Sequence, residues 1–395
     1  MTITTDALII GGGLMGCSIA FQLAERNIST LLVERNALPG KETTARSGAI
    51  IRAHYGVPEL VKLAQAANLR YLRFEDEVGE SCGFTQCGYI VLVDDGDVSV
   101  LKANTAMHRD FGVDVSLIPP SGIGDIVPTI MTDDVALASY EPLGGYANPS
   151  MTVGAYAKRA EQLGAKFRYN STIESAKLVG SGWEIVLANG EQVSSEHVIL
   201  ATGNWSQGVG KHFHIDLPVS PIRAQIVVTD RPGNGEHMPV VSDLINLAYF
   251  REEGEGGMWI GSSDMSDLQE KLPIPDGFNE KADIAAIEKA VQKAKLRFKS
   301  LPGVYPSNVQ RAFTGLYETT PDWQPIIDQL PGNIHVAVGF SGHGFKLAPV
   351  IGDIVADAVA GKPTNQEVDI FRLSRFAEGK QIKSQHSYQR ARFLR

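Results

Sequence analysis

Cysteine is scarce. Cys17, Cys82 and Cys87 are the three in 395 residues, and they form no C-x-x-C pair and no cysteine–histidine metal spacing. An odd count so spaced argues against a disulfide framework or a zinc site; reduced thiols in a cytoplasmic protein without a metal are expected. Long apolar runs are missing as well, since no window approaches the roughly 20 residues that a membrane helix needs. No basic stretch precedes the first apolar run, so a secretory signal is not expected. Positive charge is the minority, 36 Lys and Arg against 45 Asp and Glu, which speaks against nucleic acid as a partner. Repeats and low-complexity tracts are absent. What remains, 43% apolar and 21% charged residues, is the make-up of a globular protein. At this length two domains, or one interleaved pair, are expected.

The most informative stretch runs from Asp6 to Glu34. Ala7 to Ile10 is a short apolar run suited to a buried parallel strand. Gly11, Gly13 and Gly16 follow at once in G-x-G-x-x-G spacing, which permits a tight turn, brings backbone N–H groups to a pyrophosphate and lets a helix pack close to the sheet. Ile19 and Leu23 carry the crossover helix, Asn27 ends it, and Ser29 to Val33 supplies the second strand. Glu34 then stands where this fold places an acceptor for ribose hydroxyls, and it would repel a 2′-phosphate. A glycine turn without ligand would not need strand, helix and acid in this order. The ligand is an adenine dinucleotide of the FAD or NAD kind.

A polar, glycine-bearing stretch containing Ser47, Gly48 and Arg52 follows, before a helical pattern from Leu60 to Glu77. Residues 83–93 alternate like a strand and 101–111 read as a polar helix, a first visit to a second domain. Pro149 suits a helix start and Gly164 its end. Turns at Gly180 to Gly182 and Asn189-Gly190 then mark a hairpin. The next strand ends in Ala201-Thr202-Gly203, small enough for a backbone to approach a dinucleotide. Further antiparallel strands and a charged amphipathic helix over 281–299 make a second visit. The final portion holds RAFTGLYETTPDWQPIID, a strand, the loop SGHGFKLAP and a helix beginning near Ala348. Beyond Arg372 stand six basic residues against Glu378, and a frayed, solvated end is expected.

The N-terminal unit, the Ala201-Thr202-Gly203 strand end and above all GFSGHGFKLAP resemble the FAD-dependent amine oxidoreductases of the D-amino-acid oxidase superfamily. The nearest likeness is to the branch of sarcosine oxidase, the beta subunits of sarcosine and opine or proline dehydrogenases, and dimethylglycine dehydrogenase. The resemblance implies an α/β fold (α+β overall), a Rossmann-like FAD-binding domain interleaved with a substrate domain on a mixed, largely antiparallel sheet. It places FAD binding in residues 1–80, 141–212 and 311–376, the substrate domain in 81–140 and 213–310, and a basic tail in 377–395. It implies oxidation of a small amino acid or N-alkyl amino acid bearing a carboxylate to an imine, by hydride transfer to flavin N5, followed by hydrolysis. Matching positions are Gly11, Gly13, Leu14, Met15, Gly16, Glu34, Arg35, Ser47, Gly48, Ile173, Thr202, Gly203 and Gly315 for FAD. Gly342, His343, Gly344, Phe345 and Lys346 surround the flavin ring, and Arg52, Tyr317 and Lys346 meet the substrate.

Departures from the family pattern carry their own expectations. Gly315 stands where monomeric sarcosine oxidases attach flavin through a cysteine, and the TTARSG segment lacks the attachment histidine of dimethylglycine dehydrogenases, so noncovalent FAD is expected. His54, a few residues later, reads as a packing or hydrogen-bonding residue. Trp259 falls where the family has an oxygen-activating lysine, which favours a dehydrogenase passing electrons to a quinone or electron-transfer protein over one using O2. His343 reads as structural, and Asp322 and Asp328 as turn-fixing residues. The rival readings are a 2-hydroxy acid or glycerol phosphate dehydrogenase, and a flavin-bound assembly factor or relay for a partner subunit.

Overall fold

The computed structural model describes residues 2–233, 238–301, 303, 305–363 and 367–390. Among them two eight-stranded mixed sheets dominate. The first is built on the strand Thr2–Ile10, which pairs in parallel with Gln192–Leu200 on one side and Thr30–Val33 on the other. These strands are apolar runs because helices and loops cover both faces, so they lack polar alternation. Lys166–Arg168 extends the sheet beyond Thr30–Val33, and Ile334–Val338 followed by Ile326–Leu330 extends it beyond Gln192–Leu200. The hairpin Ile173–Val179 and Gly182–Leu187 joins antiparallel to Gln192–Leu200.

The second sheet runs in the order Val309–Thr319, Ser220–Asp230, Gly257–Ser262, Ala248–Glu253, Val240–Asp243, Tyr89–Val93, Leu137–Glu141, Ser116–Ile118. It is antiparallel except where Val240–Asp243 meets Tyr89–Val93 in parallel. The chain thus enters this sheet from two separate stretches, 89–141 and 220–319. Val309–Thr319 pairs with Ser220–Asp230 along nearly its whole length. The chain returns to the first sheet at the turn after Thr319.

Helix Leu14–Glu25 lies against helix Gly344–Val359 at close range. A Cβ on Gly352 would stand 2.4 Å from Ser18 Oγ, and that hydroxyl donates to the Ala348 carbonyl at 2.7 Å. Helix Gly344–Val359 begins one turn before the sequence pattern suggested, because Pro349 sits inside it and not at its start. Proline at this position cannot donate to the Phe345 carbonyl. Tyr71 Oη donates to that carbonyl instead, at 2.7 Å.

The segment beyond Arg372 corrects the expectation of a frayed end. Arg375 is buried and ion-paired with Asp322 at 2.9 Å, Ile382 N–H donates to the same carboxylate, and Tyr388 is buried in a small apolar cluster. Its basic residues mask a chain whose anchors are one arginine and one tyrosine. The expected tail residues 391–395 lie outside the described part.

Candidate active-site cleft

One cleft is lined from both sheets, and the turn after strand Thr2–Ile10 forms one end of it. Gly11 adopts φ +108°, and a Cβ there would lie 2.3 Å from the Ala201 carbonyl oxygen. A Cβ on Gly16 would lie 1.9 Å from the Gly11 oxygen. Both glycines are therefore required by close backbone approach. The helix they introduce, Leu14–Glu25, starts at a glycine without a capping side chain of its own, its Leu14 N–H donating to Thr44 Oγ1 at 3.1 Å; it has no acid in its first turn, and Gly13, Leu14 and Met15 face the cleft. A positive helix end free of acids is a site for a phosphate.

Glu34 is buried at the end of strand Thr30–Val33, accepting from Gly12 N–H at 2.7 Å and from Asn36 N–H at 2.8 Å. Ile173, Thr202 and Gly203 line the same end. Arg35 closes it from outside: its guanidinium lies 4.6 Å from the Trp205 ring centroid and pairs with Asp276 at 2.9 Å. Trp205 Nε1 donates to the same aspartate at 3.1 Å.

At the other end stand Arg52 and Lys346, 5% exposed each, with Tyr317, Tyr249 and Tyr89. Arg52 donates to the His54 carbonyl, and its guanidinium carbon lies 4.4 Å from the Tyr55 ring centroid and 5.5 Å from that of Tyr89. Lys346 Nζ lies 5.8 Å from the Tyr55 centroid. Among the described residues neither cation pairs with a carboxylate. Burial, and then the Arg52 charge, hold the Lys346 ammonium well below its ordinary pKa. Helix Gly344–Val359 opens here without a side-chain cap or an acid in its first turn, so a second positive helix end faces the cleft.

Most of the residues singled out from the sequence come together around this cleft, including Ser47, Gly48, Gly315, Gly342, Gly344 and Phe345. Gly16 and His343 do not line it. Gly16 acts through backbone packing, and His343 is fully buried with its ring edge-on to Tyr55 at 5.1 Å. Burial, then the charges of Lys346 and Arg52, push the His343 pKa well down, in keeping with a structural residue. Trp259 lies behind the wall, its indole nitrogen 3.7 Å from where a Gly48 Cβ would be, with the Arg251 guanidinium 4.5 Å from its ring centroid. None of the three free cysteines lines the cleft, and neither does His54.

A model of the FAD-dependent oxidoreductase family, DAO, matches residues 6–358. The chain belongs to this family. FAD is accordingly the cofactor of this DAO enzyme, and the acid-free helix end with its glycine turn fits the pyrophosphate of that dinucleotide. Among curated proteins it is 28% identical to bovine (Bos taurus) FAD-dependent oxidoreductase domain-containing protein 1, over 96% of this chain and 86% of the relative. It is 26% identical to mitochondrial dimethylglycine dehydrogenase of Rattus norvegicus over 98% of this chain, spanning 46% of that longer protein. Among solved structures it superimposes on L-proline dehydrogenase of P. horikoshii with TM-score 0.86 and 25% identity, covering 97% of this chain and 100% of that one. In the described residues no helix is long and apolar enough to cross a membrane.

Several site residues escaped the sequence. Tyr249 and Tyr89 read there only as strand positions, and Tyr55 as part of a loop. Glu318 is a buried carboxyl on the strand of Tyr317, its pKa raised to about 7 by burial against the bonds from the Phe340 and Gly339 backbone. Behind Arg52, His54, His108 and Glu141 bring one ligand-type atom each within 4.8 Å of one another, all buried. Their spacing of 54 and 33 residues follows no metal motif, so they were not legible in the sequence.

Proposed function

We propose that this DAO enzyme oxidises a small amino acid or N-alkyl amino acid, held by its carboxylate between Arg52 and Lys346. The observation that carries the reading is the placement of two buried basic side chains, without a carboxylate partner among the described residues, at the end of the cleft opposite the dinucleotide turn. Unpaired buried charge is costly, and a carboxylate entering this end would offset that cost with charge-assisted hydrogen bonds. Arg52 has a fixed fork, oriented by the His54 carbonyl and the Tyr55 ring, and suits bidentate contact. Lys346 supplies a point charge from the helix start. Anchoring one end of the substrate at these groups fixes the direction of its Cα–H. Bound FAD supplies the hydride acceptor. Tyr317 and Tyr249, which hydrogen-bond to each other, form the wall beside the substrate and keep their phenols protonated through burial. The imine leaves the site and is hydrolysed by water.

Both a dimethylglycine dehydrogenase and an L-proline dehydrogenase stand among the similar proteins, which supports a substrate with a substituted amine nitrogen. FAD is held noncovalently in this reading, by a unit comprising residues 1–80, 141–212 and 311–376. The electron acceptor is a quinone or an electron-transfer protein, a partner subunit included. The free thiols suit a reducing, cytoplasmic setting. The test is anaerobic mixing of the FAD-loaded protein with a panel of amino acids and N-alkyl amino acids. Bleaching of the flavin absorbance by at least one is expected, and its absence with every member overturns the reading. Arg52→Ala and Lys346→Ala should each raise the apparent Kd of that substrate roughly 10- to 100-fold, as loss of a charged hydrogen bond predicts.

A further inference from the structure

We infer that the chain segment around Tyr388 positions Arg52, making Tyr388 a positioning residue for a carboxylate it never touches. The inference rests on the carboxylate clamp proposed above. None of residues 384–389 lines the cleft. They pack instead against the backbone that follows Arg52.

Residues 53 to 56 are gripped from four sides. Ala53 N–H donates to Glu141 Oε2 at 2.8 Å. His54 Nε2 shares a hydrogen bond of 2.7 Å with Tyr388 Oη, and the two rings stack at 5.8 Å with a 21° tilt. His108 Nε2 lies 2.8 Å from the Tyr55 carbonyl oxygen, so that nitrogen carries its proton. Gln385 N–H donates to the Gly56 carbonyl at 2.7 Å. Gly56 has to be glycine, because a Cβ would stand 2.7 Å from Ser384 Oγ and 2.9 Å from the His386 oxygen.

The segment is itself tied down. Gln389 N–H donates to Asp97 Oδ1 at 3.0 Å, and Asn104 Nδ2 donates to the His386 carbonyl at 3.3 Å. Two of the held residues contact Arg52 directly: the His54 carbonyl accepts from its guanidinium and the Tyr55 ring underlies it. Displacing His54 therefore displaces the donor fork, and misplacement of a clamp by a fraction of an ångström weakens its ligand. The same grouping does not suit a metal ion. His54, His108 and Glu141 offer three ligand atoms, but the Arg52 charge bears on both histidines and would bear on a cation placed between them.

The test uses the full-length, FAD-loaded protein with acetate as probe, its Kd read from perturbation of the flavin spectrum. Tyr388→Phe, Arg52→Ala and the double variant are compared with wild type, together with FAD affinity and Tm. Tyr388→Phe keeps the ring and removes the hydroxyl. It should weaken acetate about 3- to 10-fold, the scale of one net hydrogen bond, with FAD affinity unchanged. In the Arg52→Ala background it should add less than about twofold, since it acts through Arg52. Weakening by Arg52→Ala but not by Tyr388→Phe overturns the positioning role and leaves the clamp standing. An unaltered acetate Kd in Arg52→Ala removes the clamp and this inference with it. Equal loss of acetate and FAD affinity in Tyr388→Phe, or full additivity in the double variant, marks a merely structural residue and also overturns it.

Discussion

At the scale of single residues, protonation decides what the cleft can hold. Lys346 has its pKa depressed by burial and by Arg52, so over the range above that depressed value its amine is neutral in the empty cleft. A carboxylate beside it favours the ammonium, and binding then draws in a proton. Carboxylate affinity should fall as pH rises through this range, and the binding heat should vary with the ionisation enthalpy of the buffer. Lys346→Met should abolish both dependences. A buffer-independent heat in wild type would remove Lys346 from the clamp. Glu141 runs the opposite way. Burial raises its pKa to about 7, against the Ala53 hydrogen bond and the Arg52 charge. The folded chain then keeps a proton that the unfolded chain releases near 4.5, so stability falls as pH rises between those values and is flat above. Glu141→Gln should flatten that decline, with a limit on the order of 3 kcal/mol above neutrality, measured as ΔG of urea unfolding against pH. Arg52 and Lys346 were legible in the sequence because they sit in motifs that resemble a known family. Glu141, His108 and Tyr388 were not, since a buried polar residue is defined by partners as far away as the 334 positions between His54 and Tyr388.

Among the elements, the first strand, turn and helix were fully legible, because each link is enforced locally. The turn needs φ +108° at Gly11 and a bare Cα at Gly16, and sequence displays both as glycine. Gly16→Ala would force a Cβ to 1.9 Å from a backbone oxygen, which the turn must open to accommodate. An overpacking cost of about 1–3 kcal/mol at that point should weaken FAD binding roughly tenfold or more, measurable by fluorescence titration of the apoprotein. FAD affinity within twofold of wild type would show that the turn does not hold the cofactor. The start of helix Gly344–Val359 was misplaced by one turn for an equally physical reason. Proline normally opens helices, but Tyr71 supplies the donor that Pro349 lacks, and no local rule reveals a tyrosine that distant. The segment beyond Arg372 hid its packing in the same way. Its charge count treated all six cations alike, while Arg375 is buried and ion-paired, and Tyr388, further on, docks in an apolar cluster.

On the scale of the whole molecule, the cleft exists because a chain with two sheets visits each more than once, and its electron acceptor depends on what those sheets leave beside the flavin end. The strand Gly257–Ser262 contributes Trp259 there, 3% exposed, a neutral indole beside Gly48. The cation behind it, Arg251, is paired with Glu253 at 2.7 Å and screened from the cleft by the indole itself. Arg46, which also lines the cleft, is paired with Glu280 at 2.7 Å, and in the proposed clamp a bound carboxylate would neutralise Arg52 and Lys346 during turnover. Reduction of O2 begins with a one-electron step to superoxide, an anion that gains most from an uncompensated charge a few ångströms away, where Coulomb terms reach about 4 kcal/mol at an effective dielectric of 20. Among the described residues the wall around Trp259 offers no such uncompensated charge. Substrate-reduced enzyme should therefore be reoxidised slowly by air and quickly by a soluble quinone, and Trp259→Lys should accelerate the reaction with air by an order of magnitude or more. Stopped-flow recording of the returning flavin absorbance, with peroxide assayed in parallel, decides the matter: rapid reoxidation of the wild-type protein by O2 with stoichiometric peroxide would make this enzyme an oxidase.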